Sequence, residues 1–180
     1  MTDQLSAQDW LDLGLKTLAK SGFTALKADP LAKAMGVSRG SFYWHFADVG
    51  AFHVALLAHW REIAAEQIIV RVEQFAGGKN PLPWLLGGIF NFKAALEVAV
   101  RSWAAVDPVA RKAVQAIDQR RVSYVEEQLV ASGLSPAHAQ VRAQILYWAF
   151  LGFALADKPL PPARQAAVLD ELIRIAGLPG

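Results

Sequence analysis

The chain has 180 residues and 19.6 kDa, of which 54% are apolar and 19% charged, the size of one domain with a balance that excludes disorder. Its 18 Lys and Arg against 16 Asp and Glu leave a formal net charge of +2, which excludes a polybasic chain held to nucleic acid by bulk charge alone. There is no cysteine, which removes disulfides, thiolate zinc sites and cysteine nucleophiles and fits a reducing compartment.

The longest uncharged runs are 80–92 and 143–156, of 13 and 14 residues. A membrane-spanning helix needs about 20. The N-terminus carries Asp3, Asp9 and Asp12 rather than a basic signal-peptide start. A soluble, cytoplasmic protein without membrane contact is expected. The apolar surplus must then go to a partner subunit or a ligand cavity.

Apolar residues recur at helical spacing almost throughout, and no segment shows sustained alternation, so the fold class is all-α. A first helix is expected over about 7–20. Ser6 is its N-cap, Leu11, Leu15 and Leu18 form its stripe with Trp10 beside them, and Gly22 is its stop. A second helix begins at Asp29-Pro30, with Asp as cap and Pro at the first helical position, and ends at Gly36. A third, capped by Ser38, runs from Arg39 to about Phe46. A long helix follows over 48–75, broken by Gly77-Gly78 and the Pro81/Pro83 pair. An apolar helix is expected over 84–106, weakened by Gly87-Gly88. Asp107-Pro108 starts one or two helices to about Ala131. Ser135-Pro136 starts another to about Ala156, and a last helix covers about 163–176. The functional division is a three-helix unit over 1–46 and a larger helical body over 47–180.

Residues 29–46, DPLAKAMGVSRGSFYWHF, carry most information. A short helix, a turn centred on Gly36 and a second short helix make a helix-turn-helix. Leu31, Met35, Val37, Phe42 and Phe46 fall at inward positions. Arg39, Ser41, Tyr43, Trp44 and His45 are left outward. That outward set suits a DNA-reading surface: Arg binds guanine, aromatic rings pack on thymine methyls and sugars, and hydroxyls and His bind phosphate. From Lys16 to Phe46 five basic residues face one acid, a local net of +4, while residues 1–15 hold three acids and no base. A plain solvated basic face explains the charge about as well when the motif is set aside.

The stretch Gly22–Phe46, GFTALKADPLAKAMGVSRGSFYWHF, closely resembles the DNA-binding unit of TetR-family transcriptional repressors. Turn, core and contact positions agree in one register. The resemblance implies a small DNA-binding unit followed by a helical ligand-binding and dimerising body. It implies that Ser38 caps the recognition helix, that Arg39, Gly40, Ser41 and Trp44 meet bases or adjacent backbone, and that Tyr43 and His45 bind phosphate. Lys27 stands where the family often has a phosphate-binding Thr. Val49 stands where a Lys commonly follows the motif, so one phosphate contact is missing.

The partners expected are double-stranded operator DNA, a second copy of the chain and an unknown small-molecule effector. Two recognition helices of a homodimer reach successive major grooves about 34–36 Å apart. The segment 143–156 is apolar all round, and such a helix is buried on most sides. Ile145, Trp148, Ala149, Leu151, Gly152 and Leu155 are its dimer candidates, with Leu169, Leu172 and Ile173 of the last helix; monomer core is the alternative. Trp84, Phe90, Phe92, Trp103 and Tyr124 are candidates for lining an apolar pocket, although such residues also fill ordinary cores. Arg101 and Arg121 either anchor a ligand carboxylate or join salt bridges, with Glu97 four residues before Arg101 and Asp118 near Arg121. An apolar effector would move the helix over 48–75 and release a repressor from its operator.

No catalytic residue, metal site or cofactor is expected. His53 and His59 are six apart, on different helix faces. Ser41 and His45 lack an orienting acid and an oxyanion hole, and no phosphate-binding glycine loop is present. The alternative to a ligand-responsive regulator is a helical protein-interaction or assembly module with degenerate DNA binding.

Overall fold

The computed structural model describes residues 5–89, 94–156 and 160–177. Among these there are ten α-helices and no strand: α1 Ala7–Ser21, α2 Ala28–Met35, α3 Arg39–Tyr43, α4 Val49–Arg61, α5 Gln67–Ala76, α6 Leu82–Gly88, α7 Ala94–Val106, α8 Pro108–Ala131, α9 Pro136–Ala154 and α10 Pro162–Ile175. The all-α reading holds. No described helix is long and apolar enough to cross a membrane.

The helix starts follow local chemistry. Ser6 and Asp9 form a reciprocal capping box: the Asp9 amide donates to Ser6 Oγ at 3.3 Å and the Ser6 amide to Asp9 Oδ2 at 2.7 Å. Asp48 accepts from the Ala51 amide at 2.7 Å at the start of α4. Asp107 accepts from the Val109 and Ala110 amides at 2.8 and 2.9 Å, and Ser135 accepts from the His138 amide. Two expected caps differ. At α2 the cap position is Lys27, whose carbonyl accepts from the Leu31 amide at 3.2 Å; Asp29 lies in the first turn. Pro30 is tolerated there because the first four helical amides have no intrahelical partner. At α3 Ser38 occupies the cap position, but its hydroxyl makes no capping bond.

The expected helix over 48–75 is α4, a π-helical turn over Glu62–Glu66, and α5. Of the expected helix over 84–106, the described residues form α6 and α7. Residues 90–93, and so Phe90 and Phe92, lie outside the described residues.

The chain divides into two compact units, Met1–Ala64 with Ala95–Gln115, and Ala65–Ala94 with Ala116–Gly180. The first has an aromatic core. Trp10, Phe42, Phe52 and Trp60 are buried, with Leu18, Leu26, Leu31 and Leu56, each such side chain contributing about 1.5–3 kcal/mol. Trp10 rather than Leu11 leads the inner face of α1. Gly14 lets α1 approach α4 closely: a Cβ there would lie 2.7 Å from Phe52 Cζ and 2.8 Å from Leu56 Cδ1. In the second unit Leu82, Leu86, Val125, Leu129, Ala143, Leu146 and Leu172 share a core. There Tyr147 donates to Asp118 at 2.5 Å, and Arg120 pairs with Glu66 at 3.1 Å.

Candidate nucleic-acid interface

The helix-turn-helix is α2, a turn and α3. The turn works because Gly36 adopts the left-handed conformation, φ 69°, that a side chain would strain. The Val37 amide then donates back to the Ala32 carbonyl at 3.1 Å.

At five residues, α3 has few backbone hydrogen bonds of its own, so packing must hold it. Phe42 supplies that packing. It is fully buried and meets Trp10 of α1 edge-on at 5.4 Å, Phe52 of α4 at 5.2 Å and Phe46 at 5.2 Å. Aromatic pairs of this geometry add about 0.5–1.5 kcal/mol each. With Phe42 turned inward, Arg39, Gly40, Tyr43 and Trp44 face outward, while Ser41 and His45 are half-buried. Trp44 is 87% exposed, which is unusual for the largest apolar side chain.

Arg39 is held on this surface. Its Nη2 donates to the Tyr43 hydroxyl at 3.1 Å, its guanidinium lies 5.4 Å from the Tyr43 ring centre, and its Nε sits 3.4 Å from Asp29 Oδ1. The Tyr43 hydrogen bond, and then the Asp29 charge, raise the Arg39 pKa above its ordinary value. The partnership with Asp29 was missed in the sequence; a carboxylate ten residues before an arginine across a Gly-centred turn is its only signal. Lys16, Lys20, Lys27 and Lys33 are all exposed, so the cations counted from the sequence are available to solvent.

The remaining predicted residues are scattered. Trp103 is 1% exposed, stacks parallel to Phe23 at 5.9 Å and meets the His53 ring edge-on at 5.1 Å. Arg101 binds Glu97, 1% exposed, through Nε at 2.8 Å and Nη2 at 2.7 Å. That is the salt-bridge alternative, because a buried carboxylate requires a close cation. Trp84 lines no interior: it is largely exposed and stacks on Phe75 at 5.8 Å. Arg121 lies 5.2 Å from the Phe150 ring. Tyr124 is buried under Arg120, and burial, then the nearby Glu73 carboxylate, push its pKa up to about 12. Among the described residues no group of three or more His, Asp or Glu could hold a metal ion.

On α9, Ile145, Trp148 and Gly152 are exposed, as is Leu155 just past its end, while Ala149 and Leu151 are half-buried. On α10, Leu169 and Ile173 are half-buried against their own unit's core. Leu172 is a correction: it is buried inside that core and offers no surface. Nor is 143–156 buried on most sides within one chain, since Trp148 is 63% exposed.

A three-helix unit containing a helix-turn-helix is an arrangement that many DNA-binding proteins use. The family model described as "Bacterial regulatory proteins, tetR family" matches residues 11–48, the stretch that folds into this unit. The helix-turn-helix segment of this chain is thus similar to that of these bacterial regulatory proteins. The HTH-type transcriptional regulator AcrR of Shigella flexneri is 40% identical over 45 residues, 25% of this chain and 21% of that protein. The matched segment thus spans about a fifth of that relative's length.

The fold is similar over nearly the whole chain to solved structures. SCO7518 from Streptomyces coelicolor A3(2) is 18% identical with a TM-score of 0.67, covering 93% of this chain and 95% of that one. NemR of E. coli in its reduced form is 18% identical with a TM-score of 0.68, covering 95% and 94%. A regulator from Saccharomonospora viridis in complex with choline is 11% identical with a TM-score of 0.70, covering 93% and 95%. At these identities the likeness is one of fold.

Proposed function

We propose that the protein is a DNA-binding transcriptional regulator, working as a homodimer and acting as a repressor that a small apolar effector releases from its operator. The observation that carries this reading is the outward set on α3. Arg39, oriented by Tyr43, and Trp44, 87% exposed beside it, sit on a helix fixed by a single buried Phe42. An arginine so placed reads guanine in the major groove, and the indole packs on a thymine methyl or a sugar. Tyr43, His45 and the Ser38 and Ser41 hydroxyls serve the adjacent phosphates, with Lys27 as the cation before α2 and Gly40 allowing close backbone approach.

The second copy is supported by α9. Ile145, Trp148, Gly152 and Leu155 follow a 3-4-3 spacing along one exposed face, the seam that two helices need to pack on each other. Leu151, Ala149, Leu169 and Ile173 flank it. Dimer formation covers this face and sets two recognition helices at the spacing of successive grooves. An effector stabilising one arrangement of the helical body would change that spacing.

A mobility-shift experiment on the DNA flanking the protein's own gene tests the reading. A specific complex is expected, and Arg39→Ala with Tyr43→Ala is expected to abolish it while the dimer remains. Unchanged affinity in the double variant would show that α3 is not the reading element.

A further inference from the structure

The Arg39 guanidinium is a planar fork of N–H donors, and its neighbours take up one edge of it. Nη2 donates to the Tyr43 hydroxyl at 3.1 Å, and Nε lies 3.4 Å from Asp29 Oδ1. Nε and Nη2 form the side edge of the fork. Among the described residues nothing else pairs with this group, so Nη1 and the second Nη2 hydrogen, at the end of the fork, stay open. The Tyr43 ring, centred 5.4 Å from the guanidinium carbon, limits its swing.

The fold sets the carboxylate in this place. Asp29 lies in the first turn of α2, and Arg39 begins α3. The left-handed Gly36 and the buried Phe42 fix these two helices against each other. Both charged side chains are largely exposed, so the pair contributes little to stability. Its effect falls instead on what approaches Arg39. A phosphate reaching the side edge meets the Asp29 charge at close range and is repelled, whereas a neutral base is not. Guanine offers O6 and N7 to a fork presented end-on.

We propose that Asp29 is a specificity-determining residue: it keeps Arg39 off the DNA backbone and leaves it the open end of the fork, which reads guanine. Asp29 acts through Arg39 as a positioning residue and needs no DNA contact of its own. The inference rests on the DNA-binding function proposed above and adds a consequence to it. Asp29 lowers affinity for every duplex and raises discrimination at one base pair of each half-site.

Selection by the full chain from a library of duplexes, randomised over more than two helical turns, tests this. The wild type is expected to enrich guanine at one fixed position of each half-site, and Arg39→Ala to lose that preference there alone. Asp29→Asn is expected to keep the other positions and to lower guanine enrichment at this one by roughly threefold or more. A duplex of alternating dA and dT, which has no guanine, is expected to bind Asp29→Asn about fivefold more tightly than the wild type at low salt. In the Arg39→Ala background that gain is expected to fall below about twofold. Full guanine preference in Asp29→Asn, a loss spread over all positions, or the whole gain persisting without Arg39 would overturn the proposal and leave the regulator reading in place. A wild type that enriches no sequence would overturn that reading and this inference together.

Discussion

Arg39 Nη2 donates to the Tyr43 hydroxyl one helical turn away, at 3.1 Å, while Arg39 Nε faces Asp29 of the preceding helix at 3.4 Å. Arg39 is thus oriented by one neighbour and partly neutralised by the other. The two neighbours predict effects of opposite sign. Tyr43→Phe keeps the ring but loses the anchor, and operator affinity is expected to fall roughly fivefold. Asp29→Asn frees the guanidinium for phosphate or base, and affinity is expected to rise, most at low salt. Arg39→Ala is expected to cost roughly tenfold or more. Anisotropy titrations with labelled operator at two salt concentrations separate the three.

The exposed seam on α9 predicts the oligomeric state. Trp148→Glu places a charge where a second copy would pack its own Trp148, and the variant is expected to sediment as a monomer with intact helical circular dichroism. Gly152→Ala has open space around its Cβ within one chain, so any loss of dimer there reports the partner rather than the fold. A Trp148→Glu variant that remains dimeric would move the interface elsewhere.

Gly14 sits where α1 presses on α4, with Phe52 and Leu56 fully buried opposite it. Gly14→Ala is expected to destabilise by about 1–3 kcal/mol, as overpacking does, despite the better helix propensity of alanine. Denaturant unfolding measures this, and a stabilised variant would show that the two helices are free to part.

The N-terminal box gives an acid limb to stability. Hydrogen bonds from the Ser6 side chain and then its backbone hold the Asp9 pKa below the ordinary carboxylate value. A depressed folded-state pKa means that the contribution is present above the unfolded value of about 4 and is lost as pH falls through the folded one. Ser6→Ala is expected to lower the melting temperature by roughly 2–4 °C at neutral pH, with a smaller difference below pH 3. An equal loss at both pH values would place the effect outside the Ser6–Asp9 pair.

At the alkaline end Tyr124 titrates late, its pKa raised to about 12 by burial and then by Glu73. The folded state holds this proton more tightly than the unfolded one, so stability is expected to decline between pH 10 and 12. Absorbance at 295 nm should show a late tyrosine ionisation, and Tyr124→Phe should reduce the late amplitude.

What could be read from the sequence was local. The caps at Ser6, Asp107 and Ser135, the left-handed Gly36 and the inward Phe42 all follow from chemistry within a few residues. The outward set on α3 was legible for the same reason, since fixing Phe42 inward fixes Arg39, Tyr43 and Trp44 outward on so short a helix. What escaped depends on distant partners. Trp84 finds Phe75 rather than a cavity wall, Leu172 turns into a core, and Asp29 turns from cap to ion-pair partner. Apolar periodicity says that a side chain will be covered without saying by what, as the uniform run 143–156 shows by dividing into buried Leu146 and exposed Trp148.

Trp44 stands in water at 87% exposure on a surface otherwise built from a polar or charged set. Any partner that covers this indole removes ordered hydration from a large apolar ring. Association through α3 must then carry a negative heat-capacity change. Its enthalpy will grow more favourable on warming, and replacing Trp44 by a small polar residue should flatten that slope.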